Sequence, residues 1–118
     1  MNSLRDRFGA KKTPSVPAKD LKDRSTKFIL DVREPDEIAT GKIPGAHTIP
    51  LGDLSAREGE LPKDETIYVV CRSGNRSQKA CEYLESRGYD CVNVAGGMLE
   101  YKGPVEKGDA TGKFEKNF

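Results

Sequence analysis

The segment Cys71-Arg72-Ser73-Gly74-Asn75-Arg76-Ser77 puts one thiol at the head of a short, cationic, turn-prone stretch. Only the thiolate is a nucleophile, and its population depends on pKa. A loop leading into a helix offers free backbone N–H groups and the positive end of the helix dipole, and both favour an anion. Ser73, Gly74 and Asn75 permit tight curvature, since Gly and Asn tolerate positive φ. Arg72 and Arg76 add positive charge. These residues predict a nucleophile at Cys71 and an anion-binding loop from Arg72 through Ser77. The competing reading is a cysteine that only closes a strand in the core.

A nucleophile needs a frame. Ile67 to Val70 is an apolar run that predicts a strand ending at Cys71. From Arg76 to Arg87, Ala80, Cys81, Tyr83, Leu84 and Arg87 fall near one face, which predicts an amphipathic helix stopped at Gly88. Phe28-Ile29-Leu30, His47-Thr48-Ile49 and Cys91 to Val94 read as further short strands, and Ser15-Val16 as an edge strand. Pro17 opens a short helix, Ala18 to Asp23. Glu34 to Ile38 reads as the start of another, with Pro35 in its first turn and Gly41 ending it. Asp53 to about Glu58 suits a turn or two of helix. Short apolar strands alternating with helices predict an α/β domain with a mostly parallel sheet. Sites in such sheets form at the carboxyl ends of strands, which is where Cys71 stands.

The 118 residues suit one domain. The expected division is a flexible arm over 1–14, the domain over 15–105 and an irregular tail over 106–118. The arm carries Arg5, Arg7, Lys11 and Lys12, with Leu4 or Phe8 able to dock on the body. There are 20 basic and 19 acidic residues, a net charge of +1, so no charge excess points to nucleic acid or a membrane surface. No apolar run approaches the ~20 residues of a spanning helix, and the N-terminus lacks the apolar core of a signal peptide. A cytoplasmic protein with no nucleic-acid or membrane partner is expected. Three cysteines without C-x-x-C spacing and a single histidine argue against a disulfide framework and against a metal site. Reduced thiols and no cofactor are the expectation.

Four segments, in order, carry a resemblance. They are Leu30-Asp31-Val32-Arg33-Glu34 with Glu37, Gly41-Lys42-Ile43-Pro44-Gly45-Ala46, the Cys71 loop, and Asn93-Val94-Ala95-Gly96-Gly97-Met98. Together they resemble the rhodanese-like sulfurtransferases over about residues 15 to 105. The resemblance implies a five-stranded, mostly parallel sheet with helices on both faces. It also implies that Cys71 takes a sulfane sulfur from a donor, carries it as a persulfide and yields it to a nucleophilic acceptor. The backbone of Cys71 to Arg76 would wrap the outer sulfur. Lys42 replaces the family's usual His, Ile38 its usual aromatic, and Tyr101 its usual Trp.

The same fold resembles that of dual-specificity phosphatases and arsenate reductases, whose loops read C-x5-R. Here residue 77 is Ser and Arg76 completes C-x4-R. The loop is one residue short of that size, which suits a sulfur atom better than a phosphoryl group. A cationic loop suits an anionic donor such as thiosulfate, with cyanide or a thiol as acceptor. A persulfide shuttle serving a thiol protein is the second reading.

Asp31, Arg33 and Glu37 are expected to support the site. Arg33 and Glu37, four apart, could pair beneath the loop. His47 is the one candidate base, though sulfur transfer to a soft nucleophile requires none. Lys42 fits either a basic rim or a solvated surface. Cys81 and Cys91 are expected in the core rather than in a sulfur relay.

Overall fold

Side chains alternate along each short strand, and this sorts the core into two layers. In the computed structural model, residues 13–22 and 24–107 are described. Expectations for Leu4, Phe8 and the basic residues of the arm, for Asp23, and for the tail beyond residue 107 lie outside them. The elements in chain order are β1 (Ser15–Pro17), β2 (Phe28–Asp31), α1 (Pro35–Ile38), β3 (His47–Thr48) and α2 (Leu54–Arg57). They continue as β4 (Ile67–Val70), α3 (Asn75–Ser86), β5 (Cys91–Ala95) and α4 (Gly97–Glu100). The helix expected from Ala18 is a single 3-10 turn, Ala18–Asp20, whose end is set where Leu21 turns extended.

The five strands form one sheet in the order β1-β5-β4-β2-β3. Every pairing is parallel. β1 is the edge strand beside β5, with Val16 opposite Val94. The β2–β4 register sets Asp31 beside Val70, and the Val32 N–H donates to the Val70 carbonyl at 3.0 Å. The carboxyl ends of these two central strands therefore lie side by side, with Cys71 one residue beyond.

On one face, Leu30, Val69 and Cys91 meet Ala80, Cys81 and Leu84 of α3 and Leu54 of α2. On the other, Ile29, Val70 and Val94 meet Ala18, Leu21, Ile43 and Ala46, with Met98 of α4 packed against them. Neighbouring residues such as Val69 and Val70 thus serve opposite layers. Burying a side chain such as Leu84 contributes roughly 2 kcal/mol. The buried stripe of α3 is Ser77, Ala80, Cys81 and Leu84. Arg87, expected on that face, instead lies exposed and pairs with Glu58 at 3.0 Å.

Lys42 is neither rim nor solvated surface. It is 2% exposed, with its Nζ donating to the Ala46 carbonyl. The Lys42 and Glu106 backbones exchange two hydrogen bonds of 2.8 Å, which ties the start of the expected tail onto the domain. A long aliphatic stem packs as an apolar residue does, and the carbonyl takes one of the ammonium hydrogens.

Candidate active site

β4 delivers Cys71 to the carboxyl edge of the sheet, and α3 begins four residues later. Gly74 caps that helix with φ +105°. A Cβ at Gly74 would stand 3.1 Å from the Gly96 nitrogen, so the loop and the double-glycine segment pack backbone to backbone. At Gly97 the approach is closer still, for a Cβ there would lie 2.5 Å from the Arg72 carbonyl oxygen and nearer yet to that of Cys71. The close approach lets the Met98 N–H donate to the Cys71 carbonyl at 2.9 Å and the Leu99 N–H to the Arg72 carbonyl at 3.0 Å. The loop is thus held from both sides, by α3 and by the first turn of α4.

The loop closes around the Cys71 sulfur. The Gly74 N–H donates to Sγ at 3.1 Å and the Ser77 N–H at 3.3 Å. The Ser77 hydroxyl lies 3.4 Å from Sγ. Burial pushes the Cys71 thiol up, but the Ser77 hydroxyl and the N–H groups of Ser77, Gly74 and Ser73 outweigh it. The net effect holds the pKa below that of an ordinary thiol. The shift runs in the direction expected of a nucleophile, and its main source is hydrogen bonding to the charged form.

The arginines divide. The Arg76 guanidinium holds both oxygens of Glu37, at 2.7 and 2.8 Å. Its charge is therefore shared with a carboxylate rather than offered to a donor, a correction to the expectation of two free loop cations. Arg72 is exposed and makes no ion pair among the described residues. With Arg33, Asp36, Glu37, Thr40, Met98 and Leu99 it lines an open groove of about 370 Å³. Leu99 is 62% exposed there. Ser73 and Asn75 are also placed in the loop, with exposed Asn75 starting α3.

Asp31 and Arg33 are buried against each other. The Arg33 Nε and Nη2 donate to the Asp31 carboxylate at 2.8 to 3.1 Å. Arg33 Nη2 also donates to the Gly41 carbonyl at 2.8 Å, and Nη1 to that of Glu37 at 3.3 Å. The expected Arg33–Glu37 side-chain pair is not formed, because Asp31, two residues back on the same strand end, captures the guanidinium first. Glu37 instead turns toward the loop, where its Oε1 also accepts the Glu34 N–H at 2.8 Å. His47 bonds Glu60 at 2.8 Å and stacks near Phe28, so its contacts are on the sheet edge rather than at Cys71.

Cys81 and Cys91 are fully buried. Hydrogen bonding to Cys91 and burial push the Cys81 thiol well up, which keeps it protonated. One contact went unforeseen. The Ser77 hydroxyl donates to Asn93 Oδ1 at 2.5 Å, and Asn93 Nδ2 donates to the Gly74 carbonyl at 3.4 Å. The signal for it was strand parity, since Asn93 shares a face of β5 with buried Cys91 and is polar at a buried position.

The family profile of the rhodanese-like domain matches residues 16–104. The chain belongs to the rhodanese-like domain family. The crystal structure of a rhodanese-like domain protein from Staphylococcus aureus is 37% identical. The match covers 80% of this chain and 98% of that one, with a TM-score of 0.75. A sulfurtransferase of Allochromatium vinosum is 42% identical over 82 residues, 69% of this chain and 77% of the relative. The Bacillus subtilis protein YtwF is 43% identical over 79 residues, 67% of this chain and 77% of the relative. This rhodanese-like domain is thus similar to single-domain members of a sulfurtransferase family. Among its described residues no helix is long and apolar enough to cross a membrane.

Proposed function

We propose that this rhodanese-like domain moves a sulfane sulfur from an anionic donor such as thiosulfate to a thiophilic acceptor, with Cys71 as the carrier. The observation that carries the reading is the convergence of two backbone N–H groups and a hydroxyl on the Cys71 sulfur. The thiolate attacks the outer sulfur of thiosulfate. An S–S bond forms to Sγ, the donor's S–S bond breaks, and sulfite leaves with the electron pair. The charge then sits on the outer sulfur of the persulfide. Cyanide or a thiolate attacks that sulfur, takes it, and returns Cys71 as thiolate. Sulfur and charge balance with no outside oxidant or reductant.

Cys71 is 0% exposed at rest, so loading requires the loop to shift or the sulfur to turn toward the mouth. Backbone donors of the loop, with the Ser73–Gly74 turn and the helix N-terminus, suit the anionic outer sulfur as they suit the thiolate. Arg72 at the mouth draws the anionic donor. Asp31, Arg33 and Glu37 act as supports that fix the loop rather than as groups that touch substrate. Phosphoryl chemistry fits less well, since residue 77, where the longer loop carries its clamping arginine, is Ser, and Arg76 is engaged by Glu37.

A second reading has the persulfide handed to a thiol protein. The exposed Leu99 beside Arg72 favours it, as an apolar contact next to the mouth. Assay with thiosulfate and cyanide tests the first reading. Thiocyanate formation that Cys71→Ser abolishes supports it, and aryl phosphate hydrolysis in its place refutes it. Discharge only to a protein thiol selects the second.

A further inference from the structure

Asn93, Ser77 and Cys71 form a buried chain of three polar side chains. The Gly74 carbonyl can only accept, so the amide group facing it is Nδ2, and this orients Asn93 with Oδ1 toward Ser77. Oδ1 also only accepts, so the single hydroxyl hydrogen of Ser77 points at Asn93. Ser77 Oγ then presents lone pairs to Cys71. In the thiol form the chain is complete, with S–H donating to Oγ and O–H donating to Oδ1. In the thiolate form it is not. The sulfur can only accept, and the hydroxyl serves it only by turning away from Asn93 and leaving a buried carbonyl unpaired.

We propose that Asn93 is a positioning residue for Cys71, competing with the sulfur for the one hydroxyl hydrogen of Ser77. The inference rests on reading Cys71 as the sulfur-carrying group. The competition acts selectively. The free thiolate has to share that donor with Asn93 and stays more basic, hence more nucleophilic. The persulfide anion carries its charge on the outer sulfur, about 2 Å further along the S–S bond, and draws on the backbone donors instead. Asn93 thus raises the free thiolate relative to the loaded state.

Charged groups lie on the elements packed around the loop. They are Arg72, Arg76 with its partner Glu37, Asp31 with Arg33 at the end of β2, and Glu100 of α4 close to Gly96. An uncharged substitution at Asn93 alters none of them, so a shift at Cys71 reports on the hydrogen bond.

The test is a pH titration of the unloaded protein carrying carbon-13 at the cysteine Cβ, which reads Cys71 by its own resonance. Asn93→Ala should lower the Cys71 pKa by about one unit, because Ser77 is released to the sulfur. Ser77→Ala, with no hydroxyl to release, should titrate above Asn93→Ala. The double variant should titrate like Ser77→Ala alone, since Asn93 acts through Ser77. Asn93→Leu, which keeps the volume, serves in place of Asn93→Ala if the smaller side chain costs the fold. An unchanged or raised pKa in a folded Asn93 variant overturns the proposal. So does a lowering that persists in the Ser77→Ala background. The titration uses the resting thiol, so its outcome is separate from whether Cys71 carries sulfur, which intact mass decides.

Discussion

The Arg76 guanidinium meets the Glu37 carboxylate in a two-bond grip, at 2.7 and 2.8 Å, joining α1 to the first turn of α3. This pair turns an arginine of the active loop into a strut. It leaves Arg72 as the exposed cation at the mouth.

The grip should be visible in acid. Hydrogen bonding from Arg76 brings the Glu37 carboxyl down from 4.5 to about 2. A depressed carboxyl contributes its stability in full above pH 4.5 and loses it as pH falls toward 2. Glu37→Gln should cost about 1 kcal/mol near neutral pH, a modest figure because both side chains are partly screened by solvent. Urea unfolding at pH 6 and pH 3 checks this, and the gap between the two proteins should narrow at the lower pH. A constant difference would contradict the pairing.

The two loop arginines should separate kinetically. Arg72→Ala should raise KM for thiosulfate by about 3- to 10-fold with little change in kcat, and the effect should fade with added salt. Arg76→Ala should instead lower Tm, because it strands the Glu37 carboxylate. Steady-state kinetics and thermal melts on both variants decide. A KM effect at Arg76 as large as at Arg72, with Tm unmoved, would restore it as a donor-binding cation.

Gly97 has no room for a side chain. Gly97→Ala would drive a Cβ to 2.5 Å from the Arg72 carbonyl oxygen and nearer still to that of Cys71, at φ +57°. The variant should lose about 2 kcal/mol or more and most of its transfer activity. Gly59 is the control, since it is exposed and a methyl group placed there would meet nothing within 4 Å. Gly59→Ala should stay within about 0.5 kcal/mol of the parent. Denaturation curves for the pair give the comparison.

Much of this arrangement was legible because it is local. The apolar runs at Phe28–Leu30 and Ile67–Val70 are short and buried on both faces, so they read as parallel strands. The Cys71 loop reads from seven adjacent residues. Contacts between distant segments were not legible. Glu37 lies 39 residues from Arg76, and spacing alone offered it Arg33 as a partner. Nothing near Lys42 in sequence announces that Glu106 will pair with its backbone and help bury it. Ser77 stands out in the sequence for what it is not, an arginine, while its bond to the sulfur depends on the turn of α3. Asn93 stands in a segment whose glycines carry the sequence signal.

The buried thiols should stay out of the chemistry. In the β4–β5 register Cys91 lies opposite Ile67, four residues before Cys71, a separation of about 13 Å along the strands. Cys81→Ala should leave sulfur loading and turnover within about 2-fold, at a stability cost of about 1 kcal/mol. A loss of loading in that variant, with the fold intact by circular dichroism, would reveal a relay.

The central claim is that Cys71 carries a sulfur atom. Intact mass of the reduced protein before and after thiosulfate, polysulfide or a thiol persulfide tests it most directly. One added sulfur per chain, mapped to Cys71, absent in Cys71→Ser and discharged by cyanide or a thiol, is the predicted result. No added sulfur from any of these donors, or an adduct that survives Cys71→Ser, would contradict it.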